Sequence, residues 1–153
     1  MSQKITYRNL RNYKYQVVED YTIDIPAQCK IELPITEDII WPSVTKTFIK
    51  LTKNGQLTIF KGYAWDGPSG PTIDTKNFMR GSLVHDALYQ LIREEKLNYS
   101  NRDASDRVIQ RLCLNDGMNI IRAAYVYRFL KWFGGAAAKP GKKDEQAVIM
   151  TAP

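Results

Sequence analysis

Leu83-Val84-His85-Asp86-Ala87-Leu88-Tyr89-Gln90-Leu91 is the stretch from which the fold is read. Val84, Ala87, Leu88 and Leu91 recur at helical spacing and form an apolar stripe that would anchor a helix in a core. The same stretch holds the single histidine of the 153 residues. On a helix, His85 and Tyr89 stand one turn apart on the same side. Asp86 lies roughly 100° round from His85, so all three can border one cavity. Taken alone, the pair also fits a core-edge histidine beside a solvated acid, and the flanking sequence has to separate the two.

Upstream, Gly62 to Pro71 holds three glycines and two prolines. Such a segment makes tight turns that present backbone carbonyls and amides, here as a loop between sheet and helix. Before it the chain reads as strands. Tyr13–Val18 and Tyr21–Ile25 alternate β-branched and aromatic residues, joined by Glu19-Asp20, and Pro26 ends the second run. Lys30–Leu33 reads as a short strand, and Asp38–Ser43 as a loop or helical turn. Asn54-Gly55, between Thr47–Lys53 and Gln56–Phe60, predicts a hairpin closed by a type I′ turn. Phe48, Leu51, Leu57 and Ile59 would contribute to its apolar side.

Downstream, three helices are expected. The first runs from about Thr75, its N-cap, to about Glu95, with Gly81 inside it where another backbone comes close. The second starts at Ser100, where Ser100-x-x-Asp103 resembles a capping box, and carries the stripe Val108, Ile109, Leu112 and Cys113. The third spans about Met118 to Phe133 and stops at Gly134-Gly135. Its Tyr125, Tyr127, Phe129, Leu130, Trp132 and Phe133, with Arg122, Arg128 and Lys131 between them, suit a membrane interface, a buried helix or a partner-docking helix. The expected class is α+β: an N-terminal antiparallel β-sheet or hairpins followed by a three-helix C-terminal part. Residues 1–135 make one domain, with a β-rich part (1–63), a Gly/Pro loop (64–74) and a helical part (75–135). Residues 136–153 lack periodicity and read as a flexible tail.

Composition narrows the class. With 44% hydrophobic and 25% charged residues the chain is ordinary for a globular protein, and its length suits one core. Two cysteines make no disulfide framework. No run approaches the roughly 18 apolar residues of a transmembrane segment, and Met1–Ile5 shows no apolar signal region. The expected place of synthesis is a reducing cytoplasm. The net charge of +6 favours anionic partners, but no basic run is dense enough to predict a specific nucleic-acid partner.

The loop and the helices together suggest a chemistry. Loop carbonyls and the Asp86 carboxylate are the oxygen donors that calcium prefers. His85 could take a proton from an attacking water, with Asp106 on the second helix fixing its tautomer and Tyr89 bracing Asp106. Asp66 could cap a turn or reach the metal. Zinc is disfavoured by one histidine and two distant cysteines. A Ser69 nucleophile lacks a strand–Gly-x-Ser-x-Gly–helix context, and a phosphate-binding P-loop lacks its Gly-Lys-Ser/Thr end.

The span Gly62–Pro71, Val84–Tyr89 and Ala104–Asp106, continuing through Arg122–Tyr127 to Gly134, resembles a family of small bacterial and phage proteins termed domain of unknown function 1353. That resemblance implies a phage product, made in the cytoplasm of a bacterial host. The same span looks like the calcium-dependent phospholipase A2 superfamily, above all its disulfide-free version in parvovirus capsids. Those enzymes order a glycine-rich calcium loop, His-Asp-x-x-Tyr on a helix, and an Asp on a second helix. The likeness implies calcium on the carbonyls of Trp65, Gly67 and Ser69 and on Asp86, with His85 as base, Tyr89 as brace and Asp106 as orienting acid. It implies a phospholipid or other ester as substrate. The loop departs from those enzymes in reading Gly67-Pro68-Ser69-Gly70, and Pro68 removes an amide. The β-rich N-terminal part has no counterpart there. The alternative is a non-catalytic phage virion component of tail or neck, with other virion proteins as partners, in which the loop and the His-Asp pair serve fold or docking.

Overall fold

The structure, a computed structural model, describes residues 4–10, 15–68 and 75–141. Two antiparallel sheets precede three helices, so the class is α+β. Strands β1 (Tyr7–Asn9), β2 (Tyr15–Val17) and β7 (Ala64–Trp65) form one sheet in the order β1-β2-β7. Strands β3 (Tyr21–Asp24), β4 (Ile39–Ser43), β5 (Lys46–Leu51) and β6 (Gln56–Ile59) form the other, in the order β3-β6-β5-β4. Helices α1 (Lys76–Arg93), α2 (Arg102–Asn115) and α3 (Ile120–Phe133) follow.

Several local expectations change in the tertiary setting. The two N-terminal strands do not pair with each other: β2 joins β1 and β7, whereas β3 pairs with β6, so Glu19-Asp20 passes between sheets. The Gly/Pro segment is not wholly irregular, because Ala64 and Trp65 pair with Gln16 and Tyr15. Lys30–Leu33 is not a strand. A 3-10 turn over Ala27–Cys29 ends with Lys30 at φ 58°, and the Glu32 amide donates to the Asn101 side chain at 2.7 Å instead of to a ladder. Asp38–Ser43 is largely strand, as β4; Pro42 is tolerated because β4 is an edge strand and its register shifts between Trp41 and Pro42.

The Asn54-Gly55 hairpin forms with a different turn. The Gly55 amide donates to Thr52 O at 3.0 Å, and of Asn54 and Gly55 only Gly55, at φ 86°, takes a positive φ. That is a type I turn closed by a glycine bulge, which the Thr52 hydroxyl supports by accepting from the Gln56 amide. Ile49, Leu51, Leu57 and Ile59 face the core fully buried, and Phe48 lies half-buried on the other side of its strand.

From Phe78 to Ile92, α1 is buried at every position except Asp86. A helix enclosed all round is a core element rather than an amphipathic surface helix. Leu83, Val84, Leu88 and Leu91 share one apolar cluster with Ile49, Leu57 and Ile59 of the sheet. Phe78 belongs to a second cluster with Ile109, Cys113, Ala123, Val126 and Leu130 of α2 and α3. Helix α2 runs antiparallel to α1, and a Cβ on Gly81 would stand 2.9 Å from Cys113 Sγ and 3.2 Å from Ile109 O. This is the close approach that the glycine permits.

The helix starts differ from the expected caps. Thr75 precedes α1 but makes no cap bond through its side chain. Ser100 lies in a 3-10 turn over Tyr99–Asn101, which Asn98 caps by accepting from the Ser100 amide, so the expected capping box is not formed. Asn119 caps α3 by accepting from the Ile121 amide at 2.8 Å. Gly134 ends α3 in a right-handed rather than a left-handed conformation. The stretch expected to be flexible from Ala136 begins on the body of the fold: Ala138 is fully buried, and Arg93 donates to Ala137 O. Residues 142–153 of that expected tail lie outside the described residues.

Candidate functional site

The antiparallel run of α1 and α2 that Gly81 permits brings residues 85 and 106 face to face. His85 Nε2 lies 2.9 Å from Asp106 Oδ1. The Tyr89 hydroxyl, one turn along, donates to the same oxygen at 2.6 Å, and the two rings lie 3.9 Å apart between centroids. Asp106 is fully buried. Its carboxylate accepts, so the neutral form of His85 carries its proton on Nε2 and has its lone pair on Nδ1. Nδ1 points toward Asp86, whose Oδ1 is 3.6 Å away and whose side chain remains 26% accessible.

Burial is the largest single influence on the His85 imidazole and lowers its pKa. The Asp106 hydrogen bond, followed by the approach of the protonated ring to Asp86 and the charges of both acids, outweighs it and holds the pKa above the ordinary 6.5. The Tyr89 hydroxyl is pushed up by burial first and by the Asp106 charge second, so it stays a donor at neutral pH.

The second Asp106 oxygen, Oδ2, makes no hydrogen bond among the described residues and faces Arg102 Nε at 3.9 Å. Arg102 also reaches the C-terminal end of α3, where its Nη2 donates to Leu130 O at 3.3 Å and to Lys131 O. One arginine therefore links the α3 terminus to the acid behind the histidine.

His85 and Asp86 border a small cleft of about 10 Å³, room for roughly one water, together with Gly67 and Ser82. Its remaining walls are apolar: Phe78 of α1, Ile109 of α2, and Val126, Phe129 and Leu130 of α3. Gly67 takes φ 78°, a left-handed conformation open to glycine at no steric cost. The start of the loop is tied to α1, because Trp65 Nε1 donates to Ser82 Oγ at 3.1 Å and Ser82 donates to Met79 O.

Of the residues singled out in the sequence, His85, Tyr89 and Asp106 converge on one oxygen, and Asp86 and Gly67 share the cleft with the imidazole. Trp65 is buried in β7 and does not line that cleft, and Asp66 is exposed. Ser69 lies outside the described residues. Ser82 and Arg102 join the site without being singled out by the sequence. Ser82 stands one turn before His85, and Arg102 one turn before Asp106, which is the signal that could have found both.

Among the described residues, no three His, Cys, Asp or Glu side chains are grouped to hold a metal ion. A hard cation beside Asp86 would therefore depend on backbone oxygens, as around Gly67. No family model, curated protein or solved structure matches this chain.

Proposed function

We propose that the protein is a calcium-dependent lipid-ester hydrolase of the phospholipase A2 type, a phage product carried in the virion to help breach a membrane. The observation that carries this reading is the imidazole arrangement. Nε2 is held by a buried acid that a tyrosine braces, while Nδ1 points toward the part-exposed Asp86 carboxylate, and both residues border one apolar cleft. A buried acid on one ring nitrogen fixes tautomer and orientation and leaves the other nitrogen as a base.

In the reaction His85 Nδ1 accepts a proton from water as the water oxygen bonds to the ester carbonyl carbon. Asp106 holds the resulting imidazolium in place. The carbon–alkoxy oxygen bond then breaks, and the proton passes from Nδ1 to the leaving alcohol, giving a fatty acid and an alcohol. Asp86 and the Gly67 carbonyl would hold calcium, which would supply charge for the carbonyl oxygen as negative charge develops there.

Release of fatty acid from phospholipid vesicles, with calcium and with chelator, tests the proposal. Wild-type activity is expected to vanish with chelator, in His85→Ala, and in Asp86→Asn, which leaves the buried core intact. Calcium-independent release, or a folded His85→Ala as active as wild type, would overturn it.

A second reading, a non-catalytic virion component of tail or neck, is favoured by the 4% exposure of His85 and by its tie between α1 and α2. On that reading His85→Ala loses melting temperature or particle assembly, and the wild type releases no fatty acid.

A further inference from the structure

We propose that the outward face of α3 is a docking surface for an anionic lipid bilayer, with the helix lying in the plane of the interface and the His85 cleft opening beside it. Ile121 (78% exposed), Trp132 (71%) and Phe133 (65%) are exposed along this helix, as are Ile120 and Tyr125. The buried side is formed by Ala123, Val126 and Leu130. At 100° per residue, Ile121, Tyr125, Arg128 and Trp132 fall opposite that buried side. The apolar stripe facing water is therefore a second one, beyond the stripe that holds the helix in the fold.

Charge complementarity selects the occupant. Between Gly117 and Gly141 the chain has Arg122, Arg128, Lys131 and Lys139 and no Asp or Glu. Arg128 and Lys131 are exposed among the apolar residues. Aromatic and aliphatic side chains interleaved with cations match the boundary between anionic headgroups and acyl chains. At 14 residues α3 is about 21 Å long, and no helix among the described residues is long and apolar enough to cross a membrane. The helix can lie on a bilayer but does not span one.

The docking face is continuous with the cleft. Tyr125, Phe129 and Phe133 form a ladder of rings, with centroids 6.4 Å apart for the first pair and 5.0 Å for the second. Phe129, the middle ring, is also a wall of the His85 cleft. A lipid leaving the bilayer at this face would meet apolar surface as far as Phe129, the wall it shares with the cleft. That last step rests on the proposed hydrolase activity, whereas bilayer binding itself does not.

The test is binding to vesicles of phosphatidylcholine alone and of phosphatidylcholine with phosphatidylglycerol, in chelator so that hydrolysis is excluded. Trp41 and Trp65 are buried, so a blue shift of fluorescence on binding reports Trp132. The expected result is binding to the anionic vesicles with that shift. Trp132→Ser with Ile121→Ser should weaken it by about tenfold or more. Arg128→Glu with Lys131→Glu should weaken it by roughly tenfold or more on anionic vesicles only. All four positions are exposed, so circular dichroism should show the variants folded. Equal failure to bind both vesicle types would overturn the proposal. So would a concentration-dependent dimer that the Trp132 variant abolishes, in a protein that binds no vesicle, because the occupant would then be a second copy. Binding without fatty-acid release in calcium would sink the hydrolase and leave this surface standing. Hydrolysis of a dispersed short-chain ester without vesicle binding would do the reverse.

Discussion

Gly134 lies against Tyr89 so closely that a Cβ on the glycine would stand 2.6 Å from the tyrosine hydroxyl. The same Cβ would stand 2.6 Å from Leu130 O. Gly134 has an ordinary right-handed backbone, so what demands a glycine here is space and not φ. The end of α3 is thereby packed on the group that braces Asp106. Gly134→Ala is expected to destabilise the fold by about 1–3 kcal/mol and to disturb the Tyr89–Asp106 bond. Thermal unfolding with and without Tyr89→Phe checks this: the alanine should cost less once the hydroxyl is gone, and equal costs in both backgrounds would contradict the contact.

Asp106→Asn and Tyr89→Phe should separate the two partners of the shared oxygen. An amide in place of the carboxylate can donate to Nε2 and so favours the wrong tautomer. If His85 is the base, kcat should fall by about a thousandfold or more. Tyr89→Phe removes one hydrogen bond and should cost about 1 kcal/mol of stability with a smaller effect on rate. A rate loss from Tyr89→Phe as large as that from Asp106→Asn would show that the tyrosine does more than brace.

The single histidine makes its titration unambiguous. Its imidazole signals, followed by NMR against pH, should give a pKa above 6.5, because the two acids outweigh burial. A pKa raised in the folded state means that protonated His85 stabilises the fold. That contribution is fully present below the unfolded pKa near 6.5 and is lost as pH rises through the folded pKa. The base form runs the other way, so hydrolysis should rise with pH through the same value. A measured pKa below 6.5 would contradict the electrostatic account.

Gly81→Ala tests the helix contact that sets the site. The added methyl would meet Cys113 Sγ at 2.9 Å and the Ile109 carbonyl at 3.2 Å. Since α1 and α2 must separate to admit it, the expected loss is about 1–3 kcal/mol, with a weaker His85–Asp106 bond and a histidine pKa moving down. Cys113→Ala should recover part of the stability in the double variant. No destabilisation in chemical denaturation would mean that the helices are less tightly apposed than these distances state.

The amino-acid sequence by itself determined what is local. A hairpin at Asn54-Gly55, a helical stripe through Leu83–Leu91 and a carboxylate next to the lone histidine are set by backbone preference and residue spacing over a few positions. So is the one-turn offset that places Tyr89 beside His85. Tertiary structure decided what depends on partners far along the chain. Glu19-Asp20 reads as a connection between neighbouring strands, yet β2 and β3 part into different sheets because Tyr15 and Gln16 pair with Trp65 and Ala64, and Tyr21–Asp24 pair with Gln56–Ile59. Asp38–Ser43 became an edge strand because β5 offered its open ladder. Asp106 could be chosen as the orienting acid from its place in a helical stripe. Its full burial, and the placing of two donors on a single oxygen, follow only from how closely α1 and α2 approach at Gly81. Hydrogen-bond direction and desolvation are properties of assembled neighbours, and residue spacing encodes them only after the helices have met.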